Sequence, residues 1–430
     1  MEATVAAIEP GRLAGTAAVP PSKSAAHRAV VCAALAAGTS HIGNVEFSQD
    51  ILATLGAAQQ LGAKVERGEH ELTITGRGNA DGFATITRPV FCNESGSTLR
   101  FILPLFSLTA QKVRFTGAGR LMQRPQEIYA QLFERQGLRF EQNEQGITIF
   151  GRLCPGTFTL PGNVSSQFIS GLLFATPLME APSTIEVRAP FESRSYVDLT
   201  TDAMQKFGVK VSVRARKDGS ATYKVAAPQH YAADMDVEGD YSQAAFLAVL
   251  GSTVGGITIT GLPSGSHQGD RVILDILKQC GAKFERSGSH VTFHRSLLKA
   301  VEIDLADCPD LGPVLIALGC FCSGTTIIRN AGRLRIKECD RIAAMQEELA
   351  KMGGTVKADG DTLTIEGCAL HKPTAPLNGH NDHRIVMAMV VAALAAGQPA
   401  VIEGANAVNK SWPDFFEVIK GLGAHVTNQG

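Results

Sequence analysis

The hydrophobic and polar positions of this chain repeat with a period of about seventy residues. A glycine followed by a short alternating hairpin recurs six times, at Gly62, Gly137, Gly208, Gly281, Gly353 and, in truncated form, Gly423. The intervals are 75, 71, 73, 72 and 70 residues. Solenoid repeats are shorter, at roughly 20 to 50 residues. The period therefore predicts six similar units that group into globular domains.

Each unit is predicted to contain two helices with different patterns. An amphipathic helix precedes each hairpin and ends at its glycine, which is a common stop signal for a helix. Upstream lies a helix that is apolar on all sides, followed by a short β-branched strand such as TTIIR at residues 325–329. Because such a helix must be buried, we expect it inside each unit and covered by sheet. The expected order is strand, apolar helix, strand, amphipathic helix and hairpin.

The units are expected to form two domains of three. A polar stretch at residues 226–240 separates the third unit from the fourth, and Pro20–Pro21 forms a second stiff crossing point. Since the last hairpin is truncated, we expect the N-terminal strand to complete it. The predicted domains are 1–19 with 238–430, and 20–237, joined by two strands as a hinge.

Composition narrows the class of protein. The 430 residues carry a net charge of -1 and are 44% hydrophobic and 19% charged, which is typical of a folded domain. So little net charge argues against binding nucleic acid or a membrane surface through bulk basicity. Nine cysteines without a CxxC pair indicate reduced thiols, mostly buried, and no zinc site. With no recognisable signal peptide and no apolar stretch long enough for a bilayer, we expect a cytoplasmic protein.

Polar residues gather where each apolar helix begins. The six starts are Ser22-Lys23-Ser24 with Arg28, Glu94 to Ser97, Ser165 to Gln167, Asp240 to Ser242, Asp307 to Asp310, and Asn381 to Arg384. Taken singly, the Ser, Asp and Asn residues are most simply N-caps, each worth about 1 kcal/mol. However, several starts also carry Lys or Arg, which the helix dipole disfavours unless an anion is near. Six such starts around one hinge predict a site for ligands with several negative charges.

Familiar catalytic motifs are missing from the sequence. It contains no GxxxxGK[ST], no GxGxxG between a strand and a helix, no GxSxG and no HExxH. A nucleotide-driven kinase, a dehydrogenase and a zinc hydrolase are therefore disfavoured. His383 in the NDHR segment is expected to have a structural or orienting role.

Six segments, taken together, resemble the 5-enolpyruvylshikimate-3-phosphate synthase family: PSKSAAHRA, GRLMQRP, NVSSQFISGLL, RIKECDR, NDHRIVMA and NKSWPDFF. They occur in order over nearly the whole chain. The resemblance implies an α/β fold, a two-domain inside-out barrel of six βαβαββ repeats, three per domain, with a double-crossover hinge. It also implies transfer of the enolpyruvyl group of phosphoenolpyruvate to the 5-hydroxyl of shikimate 3-phosphate, with release of phosphate, in aromatic amino acid biosynthesis. Neither a metal nor an organic cofactor is implied.

The resemblance also assigns residues to roles. Asp310 would take the proton of the attacking hydroxyl, Glu338 would serve the methylene carbon, and Lys23 would assist. The shikimate 3-phosphate side, mainly in 20–237, would comprise Lys23, Ser24, Arg28, Ser165, Ser166, Gln167, Ser193, Tyr196, Asp310 and Lys337. The phosphoenolpyruvate side, with the catalytic acid and base in the other domain, would comprise Lys23, Gly96, Arg124, Gln167, Arg341, Arg384 and Lys410.

The chain departs from the family pattern NAGTAMRP, where it has ESGSTLRF. Glu94 replaces an amide with a carboxylate near an anionic substrate, and Phe101 replaces a proline. One alternative of the same fold is the enolpyruvyl transferase acting on UDP-N-acetylglucosamine, whose mobile loop carries a cysteine that GRLMQRP lacks. Another is an inactive phosphometabolite-binding protein, which the presence of Asp310, Glu338 and Lys23 disfavours. We expect a monomer that acts on small molecules, with no nucleic acid or membrane partner.

Overall fold

Two compact units make up the chain. The computed structural model describes residues 4–229, 231 and 233–429. Unit 1 comprises Met1–Ser22 and Glu238–Gly430, and unit 2 comprises Lys23–Val237, so the chain crosses between the units twice. The first crossing lies three residues beyond the expected boundary at 19/20. The extra residues stay with unit 1 because Ser22 N donates to Glu238 O (2.7 Å) and Asp240 N donates to Pro20 O (2.9 Å).

The regular elements follow the predicted order. In chain order the helices are α1 (Lys23–Leu35), α2 (Gln49–Leu61), α3 (Gly96–Phe106), α4 (Glu127–Arg135), α5 (Ser166–Ala175), α6 (Arg194–Lys206), α7 (Tyr241–Val254), α8 (Ile273–Gln279), α9 (Gly312–Phe321), α10 (Arg341–Ala350), α11 (His383–Ala395) and α12 (Phe415–Gly421). The first twelve strands are β1 (Val5–Glu9), β2 (Gly15–Ala18), β3 (Thr39–Gly43), β4 (Lys64–Arg67), β5 (Leu72–Thr75), β6 (Val90–Phe91), β7 (Val113–Thr116), β8 (Arg139–Asn143), β9 (Gly146–Phe150), β10 (Thr157–Pro161), β11 (Ser183–Arg188) and β12 (Val211–Ala215). The others are β13 (Ala221–Val225), β14 (Met235–Asp236), β15 (Ile257–Thr260), β16 (Lys283–Ser287), β17 (His290–His294), β18 (Glu302–Asp304), β19 (Thr325–Arg329), β20 (Val356–Asp359), β21 (Thr362–Glu366), β22 (Leu377–Asn378), β23 (Ala400–Glu403) and β24 (His425–Gln429).

The strands form six sheets of four, one for each sequence repeat. The strand orders are β14-β3-β5-β4, β6-β7-β9-β8 and β10-β11-β13-β12 in unit 2, and β16-β17-β15-β2, β18-β19-β21-β20 and β22-β23-β1-β24 in unit 1. In every sheet one pair is parallel and the other two pairs are antiparallel. This is the βαβαββ unit that the sequence predicts, repeated three times in each unit of the chain.

Two short strands are exchanged at the crossings. Strand β2 precedes α1 in the sequence but pairs in parallel with β15 of unit 1, and β14 precedes α7 but pairs in parallel with β3 of unit 2. Each strand thus remains in the unit that the chain is about to leave. The predicted domain boundaries already placed β2 with 238–430 and β14 within 20–237, but the strands with which they pair are seen only in the structure.

The N-terminal strand completes the last repeat, as the truncated hairpin predicted. Strand β1 lies between β23 and β24 and is antiparallel to both. Val5 faces Glu403 on one side, and Ile8 faces Val426 on the other. The final repeat is therefore closed by residues from the opposite end of the chain.

Each unit has its own hydrophobic core around three buried helices. In α11 every residue from His383 to Leu394 is buried, and in α7 the same holds from Tyr241 to Ser252. Six of the nine cysteines are buried, which confirms the expectation that most of them are, and Cys154 is exposed. Among the described residues, no helix has the length and hydrophobicity needed to cross a membrane.

Candidate active site

The predicted N-caps occur at the starts of the buried helices. Ser95 Oγ accepts from Thr98 N at 3.1 Å, and Ser165 Oγ accepts from Gln167 N at 3.3 Å. The carboxylates of Asp240 and Asp382 cap α7 and α11 in the same way, at 2.7 and 2.9 Å. Capping explains these four residues, whereas the cations beside them form two clusters. We describe these as the unit 2 half-site and the unit 1 half-site.

In the unit 2 half-site, Arg28 is buried and held by three acceptors. Its Nε donates to Thr200 Oγ1 (2.8 Å), and its terminal nitrogens donate to the carbonyls of Ser24 and Tyr196, each at 2.6 Å. Its guanidinium lies 5.1 Å from the centroid of the Phe101 ring. Burial lowers the pKa of Arg28 to about 10, so the side chain remains cationic at neutral pH. A guanidinium fixed in this way is preorganised for an anion.

Lys23, at the start of α1, is paired with a carboxylate that the sequence analysis missed. Its Nζ lies 2.8 Å from Asp50 Oδ2 at the start of α2. One turn later, His27 Nδ1 contacts Thr54 Oγ1 at 2.7 Å, and that hydroxyl lies 2.6 Å from Thr98 Oγ1. Burial, with Lys23 and Arg28 nearby, lowers the pKa of His27 well below its ordinary value, so the imidazole is neutral. The starts of α1, α2 and α3 are thus joined by a buried polar chain.

Gly96, the first residue of α3, lies against a group of polar side chains. A Cβ atom at this position would be 2.9 Å from Arg124 Nη1 and 3.4 Å from Gln167 Oε1. Gln167 in turn accepts from Arg100 Nη1 (2.8 Å) and donates to Ser97 Oγ (2.9 Å). Three of the predicted residues therefore meet here, and Arg100 joins them although the sequence analysis did not select it.

The remaining predicted residues of this half-site lie at helix starts. Ser165 and Ser166 begin α5, and Ser193 precedes α6 with a left-handed backbone (φ 52°). Tyr196 lies in the first turn of α6 and meets Arg28 through its carbonyl. The structure thus joins α1 to α6 at Arg28, and α3 to α5 at Gln167.

The unit 1 half-site centres on Asp310. Lys337 Nζ lies 3.0 Å from its Oδ1, and Arg384 donates both to its Oδ2 (3.1 Å) and to its main-chain carbonyl (3.0 Å). Arg341 Nη1 also lies 3.4 Å from Oδ1. Burial alone would raise the pKa of Asp310, but these three cations hold it well below the ordinary value. The carboxylate is therefore ionised at neutral pH.

Arg341 is the most deeply buried cation of this half-site, with 1% of its side chain exposed. Its Nε donates to Asp382 Oδ2 at 2.7 Å, and its Nη2 donates to Glu338 Oε2 at 2.8 Å. Burial opposes the charge, yet the carboxylates of Asp382, Glu338 and Asp310 raise the pKa of Arg341 above its ordinary value. Lys337, Arg341 and Arg384 thus already have carboxylate partners within the chain, so their charge does not by itself require a bound anion.

Lys410 reaches this half-site through a backbone contact. Its Nζ donates to Asn381 O at 2.5 Å, and the residue is buried. His380 and Asn381 both have left-handed backbones, with φ of 48° and 52°. The turn between β22 and α11 therefore contacts Lys410 through Asn381 and Arg341 through Asp382.

A second acid of the same unit, Asp270, lies in a buried environment. It accepts a hydrogen bond from the hydroxyl of Ser242 in α7. Burial, together with the negative charge of Asp310, raises the pKa of Asp270 to about 7. Two acids of one unit thus differ widely in proton affinity, because cations surround Asp310 directly while burial dominates at Asp270.

Comparisons with known proteins identify the family of this chain. The sequence profile of the family EPSP synthase (3-phosphoshikimate 1-carboxyvinyltransferase) matches residues 8–419. The chain belongs to this family. Curated relatives named 3-phosphoshikimate 1-carboxyvinyltransferase include those of Clostridium kluyveri, 42% identical over 97% of both chains, and Clostridioides difficile, 39% identical over 97% of both.

Two solved structures have the same architecture as this chain. An EPSP synthase from Acinetobacter baumannii superimposes with a TM-score of 0.79 at 25% identity, covering 99% of this chain and 100% of that one. The enolpyruvyl transferase NikO from Streptomyces tendae gives the same TM-score at 18% identity, covering 100% of this chain and 99% of that one. The second match bears on the fold alone. Together they agree with the predicted two-domain inside-out α/β barrel.

The two departures from the EPSP synthase pattern have visible consequences. Phe101 is wholly buried, with its ring under Arg28 and 5.3 Å from the ring of Phe174. The Glu94 carboxylate lies beside Gly119 of the GRLMQRP loop, where an added Cβ would come within 2.5 Å of it. Phe101 thus supports a cation by packing, while Glu94 lies against the loop that also carries Arg124.

Three side chains of these half-sites, Asp50, Arg100 and Asp270, were not predicted from the sequence. Asp382 was predicted only as a cap, and its contact with Arg341 was not. The signal for Asp50 was its spacing: it follows Lys23 by 27 residues, as Lys337 follows Asp310. Comparing equivalent positions of the repeats would have found it.

Proposed function

We propose that this chain transfers the enolpyruvyl group of phosphoenolpyruvate to the 5-hydroxyl of shikimate 3-phosphate, releasing phosphate. Membership of the EPSP synthase family supports the reaction. The observation that carries the proposal for the site is an ionised Asp310 held among Lys337, Arg384 and Arg341. A general base and several cations are what an addition–elimination on an anionic substrate requires.

Residues of unit 2 are proposed to bind mainly the sugar phosphate. The hydroxyls of Ser165, Ser166 and Ser193 are suitable donors to phosphate oxygens, and Arg28 supplies a fixed positive charge. Gln167 would lie against the ring, and Lys23 would be shared by the two substrates. The remaining contacts proposed for this substrate are those of Ser24, Tyr196, Asp310 and Lys337.

The phosphoenolpyruvate contacts are proposed to come from both units. Arg124 and Gly96, with Lys23 and Gln167, would contribute from unit 2. Arg341, Arg384 and Lys410 would contribute from unit 1. Guanidinium groups can bind a carboxylate or phosphate with two parallel hydrogen bonds, whereas Lys acts as a point charge. The absence of a side chain at Gly96 would leave space for the ligand.

The proposed chemistry balances without a redox partner. The 5-hydroxyl oxygen bonds to C2 of phosphoenolpyruvate, its proton passes to Asp310, and C3 accepts a proton from Glu338. The resulting tetrahedral adduct then loses phosphate from C2 while the proton on C3 returns to Glu338, which restores the double bond. Because Arg341 donates to Glu338 at 2.8 Å, that carboxyl would need to release this contact in order to carry a proton.

Phosphate release in the presence of phosphoenolpyruvate tests the proposal directly. With shikimate 3-phosphate as acceptor we expect turnover, and with UDP-N-acetylglucosamine we expect none. If turnover occurs only with the nucleotide sugar, the protein is instead the enolpyruvyl transferase that acts on UDP-N-acetylglucosamine. Binding of both shikimate-pathway substrates without phosphate release would instead indicate an inactive binding protein.

We also propose that the active form is a monomer in the cytoplasm. Light scattering on the active fraction would test this, and a dimer that loses activity on dissociation would contradict it.

A further inference from the structure

A buried carboxylate lies seven residues beyond Arg341 on helix α10. Glu348 has a fully buried side chain, with 0% exposed. Its Oε2 accepts from Asn378 N at 2.8 Å, and its Oε1 contacts His380 Nε2 at 2.8 Å. Lys351 Nζ lies 2.8 and 3.0 Å from the two oxygens. None of the six family segments includes Glu348.

The contacts of Glu348 all involve α10 itself or the turn that precedes α11. Asn378 ends β22, and His380 is the first of the two left-handed residues of that turn. Residues other than glycine rarely adopt this backbone, and it persists where surrounding contacts hold it. Glu348 provides two such contacts, one to the backbone and one to the imidazole.

The same helix holds the other end of the turn. Positions seven apart lie on one face of a helix, two turns from each other. Arg341, at the start of α10, binds Asp382 at 2.7 Å, while Glu348 binds Asn378 and His380. Between these two anchors lies Asn381, whose carbonyl accepts from Lys410. Helix α10 therefore holds both ends of the turn, and the ammonium group of Lys410 binds at its centre.

Glu348 is not a metal ligand in this arrangement. Its oxygens, with those of Glu347 and an imidazole nitrogen of His380, lie close enough together to hold a cation. However, the ammonium of Lys351 already contacts both oxygens of Glu348. Burial alone would raise the pKa of Glu348, but the hydrogen bonds from His380, Lys351 and Asn378 N lower it, so the group is a carboxylate.

We propose that Glu348 is a positioning residue for phosphoenolpyruvate. By holding the 378–382 turn, it sets the Asn381 carbonyl for Lys410 and the Asp382 carboxylate for Arg341. It acts through these cations and touches neither substrate. This inference rests on the proposed function, because it assumes that Lys410 and Arg341 bind phosphoenolpyruvate.

The test is steady-state phosphate release by Glu348→Gln, measured against each substrate in turn. The amide keeps the shape of the side chain but loses the charge and offers only one acceptor oxygen. We expect the KM for phosphoenolpyruvate to rise about tenfold or more, while the KM for shikimate 3-phosphate changes less than about twofold. The matched control is Glu347→Gln, the same substitution at the neighbouring residue, which is 59% exposed. It should leave both constants unchanged.

A second variant separates positioning from loss of folding. His380→Ala removes the imidazole contact at a partly exposed position and should also raise the KM for phosphoenolpyruvate selectively. Because both side chains act through one contact, the double variant should fall well short of the product of the two single effects. If Glu348→Gln does not fold, His380→Ala alone tests the proposal. It supports the proposal if the KM for phosphoenolpyruvate rises and the KM for shikimate 3-phosphate does not, and it contradicts the proposal otherwise.

The outcomes distinguish this inference from the proposed function. If the wild type is active and the variants raise both KM values equally, or leave both unchanged, Glu348 does not have the proposed role. The proposed reaction would still stand. A wild type that releases no phosphate overturns both, since the role is defined by that reaction. If the rise in KM of the double variant equals the product of the two single rises, the two side chains act independently. The contact between Glu348 and His380 would then not explain the effect.

Discussion

The Nζ atom of Lys337 lies 3.0 Å from Oδ1 of Asp310, and the two residues are 27 positions apart in one repeat. Lys23 and Asp50 are also 27 apart and form the corresponding pair in another repeat at 2.8 Å, with acid and base exchanged. In both repeats, the start of a buried helix meets the start of the following amphipathic helix. The repeat geometry thus provides a fixed position for an ion pair, and the sequence decides which partner carries which charge.

The first prediction concerns Asp310 as a proton acceptor. Asp310→Asn preserves the shape of the side chain but cannot accept the proton, so kcat should fall by more than about a hundredfold. Affinity for the anionic substrates should not weaken, because Lys337, Arg341 and Arg384 lose a competing negative charge. Calorimetric titration and turnover assays on the same preparation measure the two effects. Asp304→Asn, at an exposed position of β18, is the control, and a near-normal kcat for Asp310→Asn would exclude it as the base.

The second prediction concerns the buried charges of Arg341 and Asp382. Arg341→Met removes one partner and leaves the carboxylate of Asp382, which has 0% exposed, without its main counter-charge. We expect a loss of about 3–5 kcal/mol in the free energy of unfolding, measured by urea denaturation. The exposed pair Arg139–Glu141 provides the control: Arg139→Met should cost less than about 1 kcal/mol. Equal losses in the two variants would contradict this interpretation.

The third prediction concerns the space at Gly96. In Gly96→Ala the new Cβ would lie 2.9 Å from Arg124 Nη1, so the guanidinium must move. The KM for phosphoenolpyruvate should rise about tenfold, corresponding to about 1.4 kcal/mol, with a smaller effect on shikimate 3-phosphate. Gly56→Ala is a suitable control, because Gly56 lies within α2 and an added Cβ there would meet nothing within 4 Å. An unchanged KM in Gly96→Ala would show that the free space at Gly96 is not needed to bind phosphoenolpyruvate.

The fourth prediction concerns the pH dependence of stability at Asp270. Its folded pKa is raised to about 7 from an ordinary value near 3.8, so between these values the folded state binds more protons than the unfolded state. The contribution of Asp270 to stability is therefore lost as pH rises from about 4 to about 7. Asp270→Asn, which stays neutral, should gain stability relative to the wild type at pH 8 compared with pH 5. Thermal unfolding at the two pH values measures this, and a pH-independent difference would contradict it.

Much of the architecture was predictable from local pattern. Helix stops such as Gly62, the N-caps Ser95 and Asp382, and the completion of the last sheet by β1 follow from rules that act over a few residues or from counting strands. The six segments indicated the reaction in a different way, through their resemblance to a known family.

Contacts between residues far apart in the chain were harder to predict from the sequence. Asp50 and Arg100 appeared ordinary beside the motifs, and only the packing of α1 on α2 and of α3 on α5 gave them partners. The strands with which β2 and β14 pair were likewise not predictable, because parallel pairing joins strands far apart in the chain.

By itself, the sequence determined the sixfold repeat, the buried helices, the polar helix starts and the family, because these depend on spacing and on short-range preferences. Only the tertiary structure decided which charge faces which: that Arg384 holds Asp310, that Asp382 neutralises Arg341, and that Glu348 clamps the turn beside Lys410. The physical reason is that an ionic contact depends on distance and burial, and both are set by helices that meet only after the chain has folded.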